Sequence, residues 1–252
     1  ASKVSHNHMR PADLRAACER SLAYLQTDYI DVYYLHWPNW DIPFEETMGE
    51  MQRLKDEGKV RFVGCSNFGV RDLKDLLAIR HVEVNQLAYN LLFRAIEHEI
   101  VPMCLAHDVS IAPYSPMLHG ILTGKFETID DIPDGRARTR HFSSEARPMT
   151  RHGGPGHEAE TAQALSSIRG IAAEVGVSMA QLSLAWLLKK PGVTTVIAGA
   201  RNPQQIRSNA QAAALDLSSD VVAALDAATE PLKVAFGTNA DMWENDENNR
   251  IR

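Results

Sequence analysis

The chain of 252 residues is 44% hydrophobic and 23% charged, with 15 glycines and 12 prolines, which excludes collagen-like, low-complexity and broadly disordered proteins. Its net charge of −6 predicts no nucleic-acid partner. No apolar run approaches the roughly 20 residues of a membrane span, and no signal segment opens the chain. The three cysteines lack CxxC spacing, which indicates a reducing, cytoplasmic location without disulfides.

Short β-branched runs alternate with helical patterns along the chain. Strands are predicted at residues 29–35, 60–65, 82–86, 109–112 and 194–197, and residues 1–4 fit the end of another. The early strands begin about 30 residues apart, which is the size of a βα unit. The sequence therefore predicts an α/β fold with a parallel sheet, as a closed barrel rather than an open sheet.

Helical periodicity and boundary residues support this division. One predicted helix face carries Leu14, Cys18, Leu22 and Leu25, and another carries Met48, Met51 and Leu54. Pro11 fits a first helical turn, and Gly58 fits a helix end. Gly176 should end a second helix, after which Ser178 and Gln181 form a capping box.

Two stretches lack periodicity. Residues 126–158 are rich in Gly, Pro, Arg and His, and a loop of that length is usually functional or disordered, so we predict an active-site loop. Residues 233–252 form a polar C-terminal tail. No linker or second domain interrupts the chain, and a single domain over 1–252 is predicted.

Polar residues follow the predicted strands, where barrel enzymes place their functional groups. These positions carry His36, Trp37, Ser66, Asn67, Gln86, Tyr114, Ser115, Pro116, Gly199 and Arg201. A histidine, small amide and hydroxyl groups, an aromatic ring and an arginine suit a polar aromatic cofactor.

At these positions the motifs TDYIDVYYLHWP, EETMGEMQRLKDEGKVRFVGCSNF, NQLAYN, APYSPMLHGILTGKF and VIAGARNPQQIRSNAQA occur in order. Together they resemble the aldo-keto reductase superfamily over residues 1 to about 230. The resemblance implies a (β/α)8 TIM barrel that binds NADPH without a Rossmann domain and reduces aldehydes or ketones to alcohols.

The resemblance assigns two catalytic residues to this sequence. His36 matches the family's histidine at the end of its fourth strand, and Lys3 matches the lysine that ends the third. The family's catalytic Asp and Tyr have no match. This implies that the first two βα units are missing from the sequence, which would run from strand 3 to strand 8 plus the tail.

The implied reaction is hydride transfer from the nicotinamide to a carbonyl, with a proton delivered to the developing alkoxide. A free tyrosine has a pKa of about 10, and a nearby lysine ammonium would make it a better acid near neutrality. A neutral His36 would orient and polarise the carbonyl.

The family's cofactor contacts map onto residues along the rest of the chain. Ser66, Asn67 and Gln86 resemble the carboxamide-binding group, and Tyr114 the aromatic that stacks on the ring. The pyrophosphate would lie along Ser115, Pro116, Leu118 and Gly120, and the adenosine end along Gly199, Arg201, Gln205 and Asn209. Since Asn202-Pro203 opens a helix, Arg201 and the helix N-terminus would both face a 2′-phosphate. This favours NADPH over NADH.

Trp37 and Trp40 are predicted to line the substrate pocket, with core packing as the alternative. His6 and His8 lack further ligands, so no metal site is expected. Two other functions stay open at this point: a non-catalytic NADPH-binding regulatory subunit of the same fold, and another barrel chemistry in which His36 is the base. The resemblance implies a small carbonyl compound as the substrate.

Overall fold

Strands and helices alternate up to residue 114, and helices dominate the remainder of the chain. The structure, a computed structural model, describes all residues from 1 to 252. The strands are β1 Ser2–Val4, β2 Ile30–Leu35, β3 Val60–Ser66, β4 Val84–Ala88 and β5 Ser110–Tyr114. The helices are α1 Pro11–Leu25, α2 Phe44–Asp56, α3 Val70–Ile79, α4 Ile100–Ala106, α5 Glu158–Val175, α6 Met179–Leu188, α7 Pro203–Ala212 and α8 Ser219–Phe236.

The five strands form one sheet in the order β1-β2-β3-β4-β5. The pairs β1–β2, β2–β3 and β3–β4 are parallel. Strands joined through helices and paired in parallel confirm the predicted α/β class.

The prediction of a strand at residues 194–197 is wrong. The sheet therefore has five strands, whereas the sequence predicted six, corresponding to strands 3 to 8 of the family barrel. The segment has no strand ladder, although the Ile197 N–H donates to the Pro113 carbonyl oxygen at 2.9 Å. The run TTVI has high β-propensity, but propensity becomes a strand only where a partner continues the pairing.

The chain divides into two compact units. The first comprises residues 1–87, 103–111 and 250–252. Its α1 buries Leu14, Cys18 and Leu22 as predicted, whereas Leu25 is 51% exposed. Leu25 is the last helical residue, and the left-handed Gln26 that follows turns the chain away. On α2 the predicted Met48, Met51 and Leu54 are all fully buried.

The second unit comprises residues 88–102 and 112–249. A left-handed Gly176 ends α5, and the Ser178–Gln181 capping box begins α6, as predicted. The tail begins after Phe236 rather than at 233, because Leu232 and Phe236 are buried and carry α8 one turn further. No single helix is long and apolar enough to cross a membrane, although α5 and α6, bent by 91°, pass that test as a pair by length and composition.

The aperiodic residues 126–158 fold within the second unit, ending at the start of α5. Ile132, His141 and Phe142 in this stretch are fully buried. The Nε2 of His141 lies 2.8 Å from the Leu92 carbonyl oxygen, and its Nδ1 lies 2.9 Å from the Thr139 hydroxyl. The roles of this stretch as an active-site loop and of 1–252 as one domain stay predictions.

The buried His141 should make this stretch sensitive to acid. Burial lowers the pKa of His141 to about 3 from its ordinary 6.5, so below pH 6.5 only the unfolded chain takes up this proton. Stability should therefore fall as the pH drops from 6.5 toward 3, by about 2 kcal/mol from this residue at pH 5. Thermal unfolding of His141→Gln should lose less stability between pH 7 and pH 5 than the wild type does.

Substitution of the exposed His107 by Gln provides the matched control. An unchanged pH dependence in His141→Gln would show that this imidazole is not buried in its neutral form.

Candidate active site

Lys3 and His36 lie beside each other at the ends of two neighbouring strands. The register of β1 with β2 pairs Lys3 with Tyr34 and Val4 with Leu35. The His36 N–H then donates to the Val4 carbonyl oxygen at 3.0 Å, which extends the ladder by one residue. The parallel sheet therefore brings the two sequence-predicted catalytic residues together.

The charge of the lysine affects the protonation of the histidine. Desolvation lowers the pKa of His36, and the positive charges of Lys3 and His6 lower it further. Desolvation also lowers the pKa of Lys3. The site thus holds a neutral imidazole beside a lysine side chain, which suits hydrogen-bond donation to a carbonyl oxygen.

The predicted carboxamide-binding residues converge at the ends of β3 and β4, where Ser66 pairs with Gln86. The Ser66 hydroxyl donates to the Gln86 carbonyl oxygen at 2.9 Å, and the Asn67 N–H donates to the same oxygen at 3.0 Å. The Asn67 amide also donates to the His36 carbonyl oxygen at 3.0 Å. Asn67 adopts a left-handed backbone (φ 64°), a conformation that asparagine tolerates better than most residues.

Tyr34 is a residue of this group that the sequence analysis missed. Its ring packs across Gly64, since a Cβ there would lie only 2.6 Å from the ring's Cδ1 atom. The Lys3 Nζ lies 5.6 Å from the ring centroid. Burial raises the pKa of Tyr34, against the effect of a hydrogen bond with Gln86. Gly64, a glycine inside the strand predicted at residues 60–65, was the available signal in the sequence. A glycine within a strand often marks a place where another group approaches the backbone closely.

Trp37 and Trp40 lie on the segment that follows His36. The Arg250 guanidinium lies 4.3 Å from the centroid of Trp37. Trp40 is 46% exposed, and its indole N–H donates to the Asp72 carboxylate at 3.0 Å. Trp40 also lines a cavity of about 270 Å³ together with Phe44. Both tryptophans therefore have packing partners, and their role in a substrate pocket stays a prediction.

A larger cavity, of about 730 Å³, lies within the second unit. Its walls come from the segment after β5 and from the segment that leads into α7. The sequence-predicted residues among them are Ser115, Pro116, Gly120, Gly199, Arg201, Gln205 and Asn209. Two predicted residues are not in this wall. Leu118 is fully buried, and Tyr114 stacks on Trp243 with ring centroids 6.0 Å apart.

Three cations surround this cavity: Arg201, Lys125 and Arg136. Partial desolvation lowers the pKa of Lys125, and repulsion from the two arginines lowers it further. None of the three forms an ion pair with a carboxylate. The sequence analysis missed Lys125 and Arg136 because they lie beside or within an aperiodic stretch, where only their basic character was a signal.

The start of α7 is ordered by its own side chains. The Asn202 side chain accepts from the Gln205 N–H at 2.9 Å, and the Gln205 side chain accepts from the Arg201 N–H at 2.8 Å. The Asn209 amide donates to the Gly199 carbonyl oxygen at 3.2 Å. This network fixes Arg201 at a helix N-terminus, where anions bind favourably.

The chain is similar to known proteins over the part that contains these residues. The sequence profile of the Aldo/keto reductase family matches residues 1–230. The chain is 30% identical over 217 residues to the NADH-specific methylglyoxal reductase of Escherichia coli (strain K12), covering 84% of this chain and 63% of that protein. It is 31% identical over 208 residues to the probable aldo-keto reductase 1 of Glycine max, covering 82% and 57%. The chain thus spans less than two thirds of the length of these curated relatives.

Solved structures are similar as well. An aldo/keto reductase from Klebsiella pneumoniae, in complex with NADP and acetate, shares 30% identity with a TM-score of 0.70. The match covers 99% of this chain and 72% of that one. This similarity supports a (β/α)8-type fold for the α/β arrangement described above.

Replacement of Lys3 by Met should raise the pKa of His36 toward its ordinary value, because one of the two cations that disfavour the imidazolium is removed. An NMR titration of the imidazole measures this shift. Lys59→Met, which removes a lysine that pairs with Glu19 and Glu57, should leave His36 unchanged. Equal titration curves for Lys3→Met and the wild type would contradict the proximity of the two residues.

Proposed function

Because the chain belongs to the Aldo/keto reductase family, we propose that it acts in the NADPH-dependent reduction of an aldehyde or ketone to an alcohol. The observation that carries this proposal is the position of Lys3 and His36 on neighbouring parallel strands, close enough for the charge of Lys3 to lower the pKa of His36. The Ser66–Asn67–Gln86 group is hydrogen-bonded to the backbone of His36 through Asn67. Catalytic and carboxamide-binding groups are therefore parts of one hydrogen-bonded arrangement.

The residues of the second unit fit the cofactor that this activity needs. A pyrophosphate and a 2′-phosphate are strongly anionic, and Lys125, Arg136 and Arg201 supply unpaired positive charge around one cavity. Gly120 has φ 88°, and a Cβ there would lie 2.8 Å from the Arg136 Nη1. The glycine therefore leaves room for the Arg136 guanidinium to pack directly against the backbone of this wall.

Reduced nicotinamide, when bound, supplies the hydride. In this proposal, His36 donates a hydrogen bond from a neutral ring to the carbonyl oxygen and stabilises the negative charge that develops there. The cation of Lys3 favours the ionised form of a neighbouring tyrosine and so makes it a better acid. Tyr34 does not suit that role because burial raises its pKa, and the family's tyrosine is not assigned to a residue of this chain.

Coenzyme preference follows from charge at the adenosine end. A 2′-phosphate adds up to two negative charges, and an arginine commonly accommodates it in NADP-binding sites. The name of the Escherichia coli relative specifies NADH, whereas the Klebsiella structure contains NADP. The three-cation cavity supports NADPH for this chain.

Arg201→Gln should weaken NADPH binding about 10- to 100-fold, which corresponds to the loss of one charge-assisted hydrogen bond. NADH binding should change less than threefold or so, because NADH lacks the 2′-phosphate. Quenching of tryptophan fluorescence measures both dissociation constants. Arg207→Gln, which removes another exposed arginine from α7 itself, is the matched control. Equal losses for the two coenzymes in Arg201→Gln would argue against a 2′-phosphate contact.

His36→Ala should lower kcat about 100-fold or more, the usual effect of removing one donor to a developing oxyanion, with the NADPH dissociation constant within about twofold. Turnover is followed by the absorbance of the reduced nicotinamide, with methylglyoxal and with an aromatic aldehyde. His107→Ala should behave as the wild type does. A large loss of NADPH binding in His36→Ala would assign His36 a structural role, and binding without turnover in the wild type would favour the regulatory-subunit alternative.

A further inference from the structure

Segment 115–120 follows β5 and contributes most of its residues to the wall of the cavity of about 730 Å³. Ser115, Leu118 and His119 in this segment have φ values of 52°, 41° and 54°. These angles lie in the left-handed region, which is costly for residues other than glycine and persists only where surrounding contacts enforce it. The hydrogen bonds of the segment therefore indicate which residues fix this part of the cavity wall.

The Ser115 carbonyl oxygen is directed into the interior of the second unit. It accepts from the Asn90 side-chain amide at 3.1 Å and from the Leu118 N–H at 2.9 Å. Asn90 and Leu118 are both fully buried, and neither of them lines the cavity. The Ser115 carbonyl oxygen therefore faces away from the cavity.

Other carbonyl oxygens of the segment also have donors. That of Met117 accepts from the Gly120 N–H at 2.8 Å, and that of Gly120 accepts from the Thr123 hydroxyl at 2.7 Å. The His119 carbonyl oxygen accepts from the Arg136 guanidinium. Because a carbonyl oxygen carries partial negative charge, a wall whose carbonyl groups are bonded to the protein's own donors suits an anion.

Asn90 can fix this wall because its own side chain is held at both ends. Its side-chain oxygen accepts from the N–H groups of Leu92 and Phe93, each at 3.0 Å. These bonds orient the amide end of the side chain toward Ser115. One buried residue just beyond β4 therefore determines where the backbone beyond β5 directs a carbonyl group.

We propose that Asn90 is a positioning residue for the coenzyme, because its amide holds the Ser115 carbonyl oxygen away from phosphate groups that bind along segment 115–120. This inference rests on the proposed function, which has the coenzyme's phosphates in this cavity. Asn90 does not line the cavity, so it acts through Ser115. Loss of its amide should weaken binding of a ligand with a diphosphate and leave a ligand of the adenosine end unaffected.

Asn90→Asp removes the amide donor and keeps an oxygen that can accept from Leu92 and Phe93. The dissociation constant of NADP+, measured by titration calorimetry, should rise about 5- to 30-fold, the range expected when a buried carbonyl group loses its donor. That of adenosine 2′-phosphate, which lacks the diphosphate, should stay within about twofold. An equal loss for both ligands would indicate general damage to the second unit and would overturn the proposal, as would an unchanged affinity for NADP+.

Asn85→Asp is the matched control. Asn85 is also fully buried, and its amide donates to the Phe68 carbonyl oxygen at 2.8 Å within the first unit. This variant should lower the melting temperature as Asn90→Asp does, with the NADP+ dissociation constant within about threefold of the wild type. A loss of NADP+ binding as large as in Asn90→Asp would assign the effect to a buried charge alone. If Asn90→Asp does not fold, Asn90→Ser, which also lacks the amide donor and buries no charge, provides the same comparison.

Hydrogen exchange supplies a readout that needs no coenzyme. The Leu118 N–H shares the Ser115 carbonyl oxygen with Asn90, so it should exchange several times faster in ligand-free Asn90→Asp than in the wild type or Asn85→Asp. Equal rates would overturn the role of Asn90 in ordering the segment, and faster exchange with an unchanged NADP+ affinity would overturn its role in coenzyme binding. Failure of the wild type to bind NADP+ would instead contradict the proposed function, and with it the coenzyme role, while the exchange rates would still report on the segment.

Discussion

The parallel register of the first four strands is the constraint on which the candidate active site depends. In parallel pairing, successive strands end at one edge of the sheet, so residues just beyond each strand become neighbours although they are far apart in sequence. The register of β1 with β2 places Lys3 opposite Tyr34, and that of β3 with β4 places Ser66 opposite Gln86. A shift of one residue in either pair would turn these side chains to the other face of the sheet.

Like charges repel one another around the cavity of the second unit. Lys125, Arg136 and Arg201 surround one cavity, and the pKa of Lys125 is lowered partly by the two arginines. Like charges held together without counterions destabilise the protein alone, and an anion bound among them removes that cost. The coenzyme site that we propose here would thus come at some cost in stability.

The sequence predicted those parts of the structure whose signals are local. The capping box at Ser178, the left-handed Gly176 and the buried face of α2 each follow from a few neighbouring residues. Residues 194–197 show the limit of this reasoning. Their residues favour a strand, but a strand forms only beside a partner strand, which the local sequence pattern cannot specify. The positions of Lys125 and Arg136 depend on the folding of an aperiodic stretch, so no periodicity pointed to them.

That aperiodic stretch also shows how the fold satisfies backbone groups outside helices and strands. Arg147 donates to the carbonyl oxygens of Ile129 and Ile132. Arg140 donates to those of Phe236 and Asn239 at 3.2 and 3.0 Å. Buried carbonyl groups need donors, and a guanidinium can supply several from one side chain. The arginines of residues 126–158, a stretch for which the sequence predicted an active-site loop, thus supply hydrogen bonds that regular secondary structure would otherwise have supplied.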